Sequence, residues 1–368
     1  MHARFILTIG SVVAQTAAAA TAPKIIIDND WNLNAYITFL LAIDAGWEVL
    51  GLVGDTANTW SRQASLHALA LLEIGGMSCI PVHKGADYPL LNTPELFQAW
   101  EMLYGALPFQ GVFKEYNATA EASGRDPSSG DPSRIVPAAF KEGVPNTTLA
   151  GEYAAAWMVE QVRKYPGEVL LYSGGALTNV ALATRMDPEF ASLAKGLVVM
   201  GGYVDVMMLQ VTGSKTLADL NSDINLKSDP EAAKIALNAD FPNITLVGNG
   251  ANQYIPDQHF HDQVSRIGSP YSKLFNDYYG TRLPTWDELA MFAGLYPEHI
   301  ENSTSFLVDV DITWSSPYYG NIRPYQDLLK PRAQSLRSVN YVNKVNLAAL
   351  KDAMKSAMKC RRCVALCD

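Results

Sequence analysis

Short apolar runs alternate with polar turns along most of this chain, and the period of each run decides which element it becomes. Lys24-Ile25-Ile26-Ile27 carries three consecutive β-branched residues and turns polar abruptly at Asp28. Such a run reads as a short strand buried on both faces, with two carboxylates, Asp28 and Asp30, at its C-terminal tip. From Tyr36 to Ile43 the apolar spacing is that of a helix packing back on the strand. The same rhythm predicts a strand over Trp47–Asp55, a helix over Gln63–Ile74 and a strand over Ile80–His83. Residues 104–147 then lose periodicity and become rich in Gly, Pro, Ser and Asp, which predicts a surface excursion placed to fold over a site. Alternation resumes with a helix over Leu149–Lys164, a strand over Glu168–Tyr172, a glycine turn at Ser173–Asn179 and a helix from Val180. Strands at Gly196–Met200 and Ile244–Gly248 flank a helix opened by Asp229 at its N-cap and Pro230 at its first position. Strands at Phe306–Thr313 and Ser338–Val345, with a turn at Tyr318-Tyr319-Gly320 between them, precede an amphipathic helix ending at Met358.

This order predicts an α/β protein with a Rossmann-like, mostly parallel sheet of about six to eight strands, right-handed crossovers and helices on both faces. A chain of 368 residues with 48% hydrophobic content can bury one large core, so residues 23–368 are expected to form a single domain.

Charge and the termini narrow the picture. The formal net charge is −9 and no basic stripe is present, which argues against a nucleic-acid polymer as partner. Arg4 precedes an apolar run from Phe5 to Ala14 and a small-residue stretch, so residues 1–22 are read as a secretory signal peptide cut between Ala18 and Ala22. No later run approaches the roughly 18 apolar residues of a membrane span. Four Asn-x-Ser/Thr sequons, at Asn117, Asn146, Asn243 and Asn302, fit a secreted glycoprotein. Cys360 and Cys363 form one CxxC beside Cys367 in a tail over residues 359–368, and Cys79 stands alone. A local or a tail-to-body disulfide is expected rather than a disulfide framework.

Candidate chemistry starts at the first strand tip. Asp28 and Asp30 lie two apart on an extended backbone, so they point the same way and can share a hard cation; turn chemistry with a helix cap is the other reading of Asp-Asn-Asp. The glycine turn at 173–179 has neither GxGxxG nor a GK[ST] ending, so it implies close backbone approach to a ligand or ion rather than a phosphate loop. His67, His83, His259, His261 and His299 show no metal-ligand spacing beyond His259-x-His261 and are read as structural or surface residues, and no Ser-His-Asp order appears.

With these segments in place the chain resembles the inosine-uridine nucleoside hydrolases, calcium-dependent enzymes that cleave the N-glycosidic bond of ribonucleosides. The likeness runs from about Lys24 to Pro297. It rests on Ile27-Asp28-Asn29-Asp30, Pro81-Val82 through Gly85-Ala86 to Pro89-Leu90, and Tyr165-Pro166-Gly167-Glu168-Val169 with Gly175-Ala176-Leu177-Thr178-Asn179. Val199-Met200-Gly201-Gly202, Asp223-Ile224-Asn225 ahead of Asp229-Pro230-Glu231-Ala232-Ala233, and Trp286-Asp287-Glu288-Leu289-Ala290 continue it in order.

The resemblance implies roles. Asp30 would chelate calcium and act as base on a water; Asp287, the Gly174 carbonyl and Asp28 would complete the metal set. Asn34, Asp55, Met200, Asn221, Asp223, Asn225 and Trp286 would line the substrate pocket. The chain departs from the family pattern where two adjacent aspartates are expected and Asn34 and Ala35 stand, so Asp28, Asn34 or Asp55 would have to substitute for a lost ligand. Asp223 replaces a glutamate, Leu217 an asparagine for which Asn221 is near enough to serve, and Trp286 a histidine. Two functions follow: a secreted metal-dependent hydrolase of a small nucleoside or related glycoside, or a catalytically lapsed binding protein on the same scaffold. Oligomeric state stays open to a homo-oligomer.

Overall fold

The structure, a computed structural model, describes residues 22–204, 223–280, 283–363 and 366–367. Its centre is β1, Lys24–Asn29, every residue of which is buried. Alternation along a strand sends successive side chains to opposite faces. Accordingly Ile25 and Ile27 enter one core layer and Ile26 the other. The first layer is covered by helices α1 (Ile37–Asp44) and α2 (Ser61–Glu73). The second is covered by α3 (Ala154–Lys164), α4 (Thr178–Met186) and α5 (Pro230–Leu237). Two later helices, α6 (Trp286–Leu295) and α7 (Leu347–Ala357), return to the first layer. Helices on both faces explain why the isoleucine run needs no polar alternation.

The remaining strands are β2 (Glu48–Gly54), β3 (Val82–Lys84), β4 (Val169–Ser173), β5 (Gly196–Met200), β6 (Ile244–Val247), β7 (Ile300–Val310), β8 (Ile322–Tyr325) and β9 (Arg337–Val345). They form one sheet of nine strands in the order β3-β2-β1-β4-β5-β6-β9-β7-β8. All neighbours pair in parallel except at one edge, where β7 runs antiparallel to both β9 and β8. The chain reverses its direction of travel across the sheet between β1 and β4. That reversal is a topological switch point, where the crevice beyond the carboxyl ends of the strands opens for a ligand.

The sheet exceeds the six to eight strands expected from the sequence, and the surplus lies at the antiparallel edge. There β8 holds Pro324, a residue that cannot donate to a ladder and is tolerated at a sheet edge. β7 begins at Ile300 rather than Phe306 because its first half is solvent-exposed and polar, so no apolar alternation announces it. In its place β9 supplies the pairing partner, from Ile300 opposite Val345 onward.

The aperiodic stretch over 104–147 lies against the end of the sheet near β1 and β2. A third apolar cluster, including Trp60, Phe97, Trp100, Val112 and Phe113, supports it. The Val112 N–H donates to the Ala57 carbonyl at 2.9 Å, and Ser129 N–H donates to Val112 at 2.7 Å. At the other end of the chain the tail makes both kinds of disulfide, local between Cys360 and Cys363 and tail-to-body between Cys79 and Cys367.

Candidate active site

A cavity of about 670 Å³ opens beyond the C-terminal ends of β1, β4 and β5. Its floor holds Asp30, Asn34, Ala35, Gly174, Met200, Asp223 and Asn225. One wall is the start of α6, with Trp286, Asp287 and Glu288; the other is the 104–147 excursion, including Phe109, Lys114 and Asp126.

Asp30 sits one residue beyond β1, where the strand ends against the switch point. It is 2% exposed, and Asn58 holds one of its oxygens twice, through its backbone N–H at 3.1 Å and its side-chain amide at 2.6 Å. The Asn32 N–H donates to the other oxygen at 3.3 Å. Burial raises the Asp30 pKa despite these hydrogen bonds. The turn that follows puts Trp31 in the left-handed region, at φ 52°, and the Trp31 indole donates to the Val53 carbonyl at 2.6 Å. That anchor aims the Asp30 carboxylate into the cavity.

Asp287 belongs to the first turn of α6, where a carboxylate is favoured by the helix N-terminus. Its side chain accepts from the Asn29 amide at 3.2 Å, and its carbonyl accepts from the buried Tyr172 hydroxyl at 3.0 Å. Burial, then the charges of Asp30 and Glu288, push the Asp287 carboxyl well above the usual range. Gly174 follows β4; its N–H donates to the Asp28 carbonyl at 2.9 Å and its own carbonyl accepts from Asn225 at 3.0 Å. A Cβ at Gly174 would stand 2.6 Å from the Asn29 amide nitrogen, so only glycine lets the two turns close up.

Asp28 and Asp55 are placed differently from the expectation. Both are wholly buried beneath the floor and neither lines the cavity. The Asn179 amide bridges both Asp28 oxygens, at 3.1 and 3.3 Å, so Asp28 faces α4 and not the partner carboxylate Asp30. Asp55 is therefore not in reach of a substrate in the cavity; the tip of β2 turns it inward behind Gly175. Among the described residues no three His, Cys, Asp or Glu side chains converge at metal-ligand spacing, and an asparagine amide donates to each of Asp28, Asp30 and Asp287.

Asp223 caps the short helix Ile224–Ser228 and accepts from the Gly202 N–H at 2.7 Å, which fixes the turn after β5. Asn225 donates to both the Gly174 and Met200 carbonyls at 3.0 Å, tying β4 and β5 together at the floor. The side-chain oxygen of Asn34 is buried and unpartnered. Trp286 donates its indole N–H to Asn252 at 2.7 Å and meets Phe109 edge to face at 5.8 Å. Asn221 lies outside the described residues.

Several cavity residues carried no readable signal. His67 is buried in the wall, bonded to Asp126 at 2.8 Å and to Glu142. Burial alone would lower its pKa, but the charges of Asp126 and Glu142 outweigh it and raise it to about 10, so the imidazole is a cation. Glu142 also accepts from the Tyr279 hydroxyl, and Asp126 accepts from Asn32 at 3.0 Å. Tyr279 lies in a single π-helical turn, Phe275–Tyr279, with the exposed Tyr278 beside it on the cavity wall. Asn58 and Phe109 belong to a polar turn and to the aperiodic stretch, where nothing in the local pattern marks them.

Comparison with known proteins places this geometry. A family model described as inosine-uridine preferring nucleoside hydrolase matches residues 25–352. An uncharacterised protein of Schizosaccharomyces pombe is 31% identical over 357 residues, 92% of this chain and 86% of that one. Uridine nucleosidase 1 of Arabidopsis thaliana is 30% identical over 260 residues, 69% of this chain and 65% of its own length. Among solved structures, a plant nucleoside hydrolase superposes with TM-score 0.67 at 19% identity, covering 92% of this chain and 99% of that chain. A purine-preferring ribonucleoside hydrolase from Gardnerella vaginalis superposes with the same TM-score, 0.67, at 17% identity, over 91% and 98%. At these identities the solved structures speak for the fold.

Proposed function

The chain belongs to the inosine-uridine preferring nucleoside hydrolase family and is an N-glycosyl hydrolase. From that premise we propose that it is a secreted, calcium-dependent enzyme hydrolysing the N-glycosidic bond of a small ribonucleoside. The observation that carries this reading is the buried Asp30 carboxylate, pinned by Asn58 and raised in pKa, facing a cavity of about 670 Å³ at the switch point. A cavity of that size suits a small molecule.

Asp30 has the position and basicity to take a proton from a water attacking the anomeric carbon. As the C–N bond breaks, its electron pair leaves with the base, and the sugar passes through an oxocarbenium-like state. Asp30, Asp287 and the Gly174 carbonyl would hold the calcium, with Asp28 behind them; oxygen donors of this kind suit a hard cation. When bound, the metal supplies a fixed positive charge that makes a water more acidic and orients sugar hydroxyls. Asn34, Met200, Asp223 and Asn225 would face the ribose, and Phe109, Tyr278 and Trp286 offer aromatic surface for the base.

Secretion is supported by the amino-terminal apolar run and by the pairing of all four cysteines, which fits an oxidising compartment. The names of the plant relatives make uridine the first substrate to assay. Reducing-sugar release over a nucleoside panel, with and without Asp30→Ala, tests the reading. The substitution is expected to lower kcat by about 10²- to 10⁴-fold. Release that survives it would mean that Asp30 is not the base.

A further inference from the structure

Glu288 is a buried carboxylate to which the resemblance assigns no role. It stands in the first turn of α6 beside Asp287, lines the cavity and is 2% exposed. Thr285 at the N-cap and Glu288 three residues on have the spacing of a capping box, in which each side chain bonds the other's backbone N–H. Neither half of that box is made. The Thr285 N–H donates to the Tyr254 carbonyl at 2.9 Å, the Thr285 hydroxyl donates to the same carbonyl at 3.4 Å, and no side chain caps the helix. Burial raises the Glu288 pKa to about 8, opposed only by its own backbone N–H and by the Asn34 amide, which favour the charged form. No cation is among the groups that act on it.

Asn34 reaches the same place from the turn Leu33–Tyr36, which joins β1 to α1; it is 6% exposed and lines the cavity too. Its amide is given to Glu288, so its oxygen is the atom left over, and that oxygen has no partner. Glu288 Oε1 has none either. Ala35, on the same floor, brings no polar side-chain atom to them. Two bonded side chains therefore each present a buried oxygen without a donor at the cavity wall. Such an acceptor has given up water and received nothing in return, which is costly until a donor arrives.

The pairing defines the ligand. A lone hydroxyl would serve one oxygen, whereas hydroxyls on adjacent carbons serve both at once. We infer that Glu288, paired with Asn34, accepts hydrogen bonds from the vicinal 2′- and 3′-hydroxyls of the sugar and makes this chain demand a ribosyl rather than a deoxyribosyl substrate. The assignment rests on the ribonucleoside reading above and deepens it, because the charge that meets the hydroxyls comes from α6 and not from the turn after β1. A hydrogen bond to a sugar hydroxyl strengthens as the oxocarbenium-like state forms, so its loss lowers kcat as well as raising KM.

The test is a substrate series on the full chain: uridine and inosine, each beside its 2′-deoxy, 3′-deoxy and 5′-deoxy counterparts. Wild type is expected to hydrolyse the 2′- or 3′-deoxy compound with kcat/KM about a hundredfold or more below that of the ribonucleoside, because the missing hydroxyl strands buried acceptors. Glu288→Gln keeps the shape and removes the charge. Its kcat/KM for the ribonucleoside is expected to fall about tenfold or more, and its kcat/KM for that deoxy compound to change less than about threefold, so the penalty for the missing hydroxyl shrinks. The 5′-deoxy penalty is expected to stay as in wild type. A melting temperature no lower than wild type would show that the variant folds. Asn34→Ala, which leaves Glu288 in place, is expected to show the same convergence and decides the matter if Glu288→Gln does not fold. Equal losses on ribosyl and deoxyribosyl substrates would make the pair structural and overturn the assignment, as would a shrinkage confined to the 5′-deoxy compound; both leave the hydrolase reading standing. Wild type that hydrolyses neither uridine nor inosine would overturn the ribonucleoside reading, and this assignment with it.

Discussion

His67 shows how a single buried charge ties the cavity wall to the rest of the molecule. It bonds Asp126 and Glu142, both from the excursion, while its own backbone belongs to α2. Removing one partner from a buried ion pair is expensive because it strands the other charges, and His67→Gln is expected to cost about 3 kcal/mol or more near pH 6. The sign of the pH dependence follows from the raised value of about 10 in the folded state, against about 6.5 unfolded. That contribution is whole below about pH 6.5 and is lost as pH climbs through about 10. The melting-temperature gap between wild type and His67→Gln should therefore be widest near pH 6 and narrow toward pH 10; a constant gap would show that the imidazole is not charged. Trp286 gives a second residue-scale expectation. Its N–H is already given to Asn252, so its value to a substrate lies in its ring. Trp286→Ala is expected to raise KM about three- to tenfold with a smaller change in kcat, and Trp286→Phe to keep most of the wild-type KM.

At the scale of elements, the excursion over 104–147 is held by the apolar cluster around Val112 and Phe113 and by a few backbone attachments. Gly111 is one of them: its φ is 53°, and a Cβ there would meet the Ala57 carbonyl oxygen at 2.2 Å. Gly111→Ala combines a left-handed backbone with a collision against main chain, for which about 1–3 kcal/mol is a reasonable cost. The neighbouring Val112 bond to Ala57 would be lost with it. Limited proteolysis should then cut within 104–147 faster than in wild type, and KM should rise as the wall carrying Phe109 shifts. Unchanged cleavage would show that the wall is held mainly by the His67 pairs. The β7–β9 pairing makes the opposite point, since a long ladder there needs no apolar face on its exposed half.

At the scale of the whole molecule, the Cys79–Cys367 disulfide joins residues 288 apart, whereas Cys360–Cys363 closes a span of 3. Cross-linking distant residues restricts the unfolded chain far more than closing a short turn. The Cys79→Ser/Cys367→Ser pair is expected to lose about 2–5 kcal/mol, and Cys360→Ser/Cys363→Ser distinctly less. Thermal melts under non-reducing conditions would decide it; equal losses would mean that both bonds act through local packing.

What could be read from the amino-acid order alone was whatever depends on local pattern. The isoleucine run, the apolar spacing of the following helices and the glycine turn after β4 specify alternating strands and helices, because burial on two faces requires apolar residues at every position of a central strand. Asp30 stood out as a carboxylate at a strand tip, whereas Asp287, Gly174 and Asn225 were marked only by the resemblance to the nucleoside hydrolases and not by any local pattern. The polar half of β7 and the Pro-containing β8 were not legible, since edge strands are defined by their partner and not by their own periodicity. Nor were His67 with Asp126 and Glu142, whose meeting needs the excursion folded back on α2. Asp55 lies between these cases. Its carboxylate was visible at the end of β2, but only the packed sheet shows that it lies beneath the floor, unpartnered, while an asparagine holds each of its three neighbours. Local sequence determines which groups stand at strand ends; the tertiary fold decides which of them lose water and which find a partner, and that decides their chemistry.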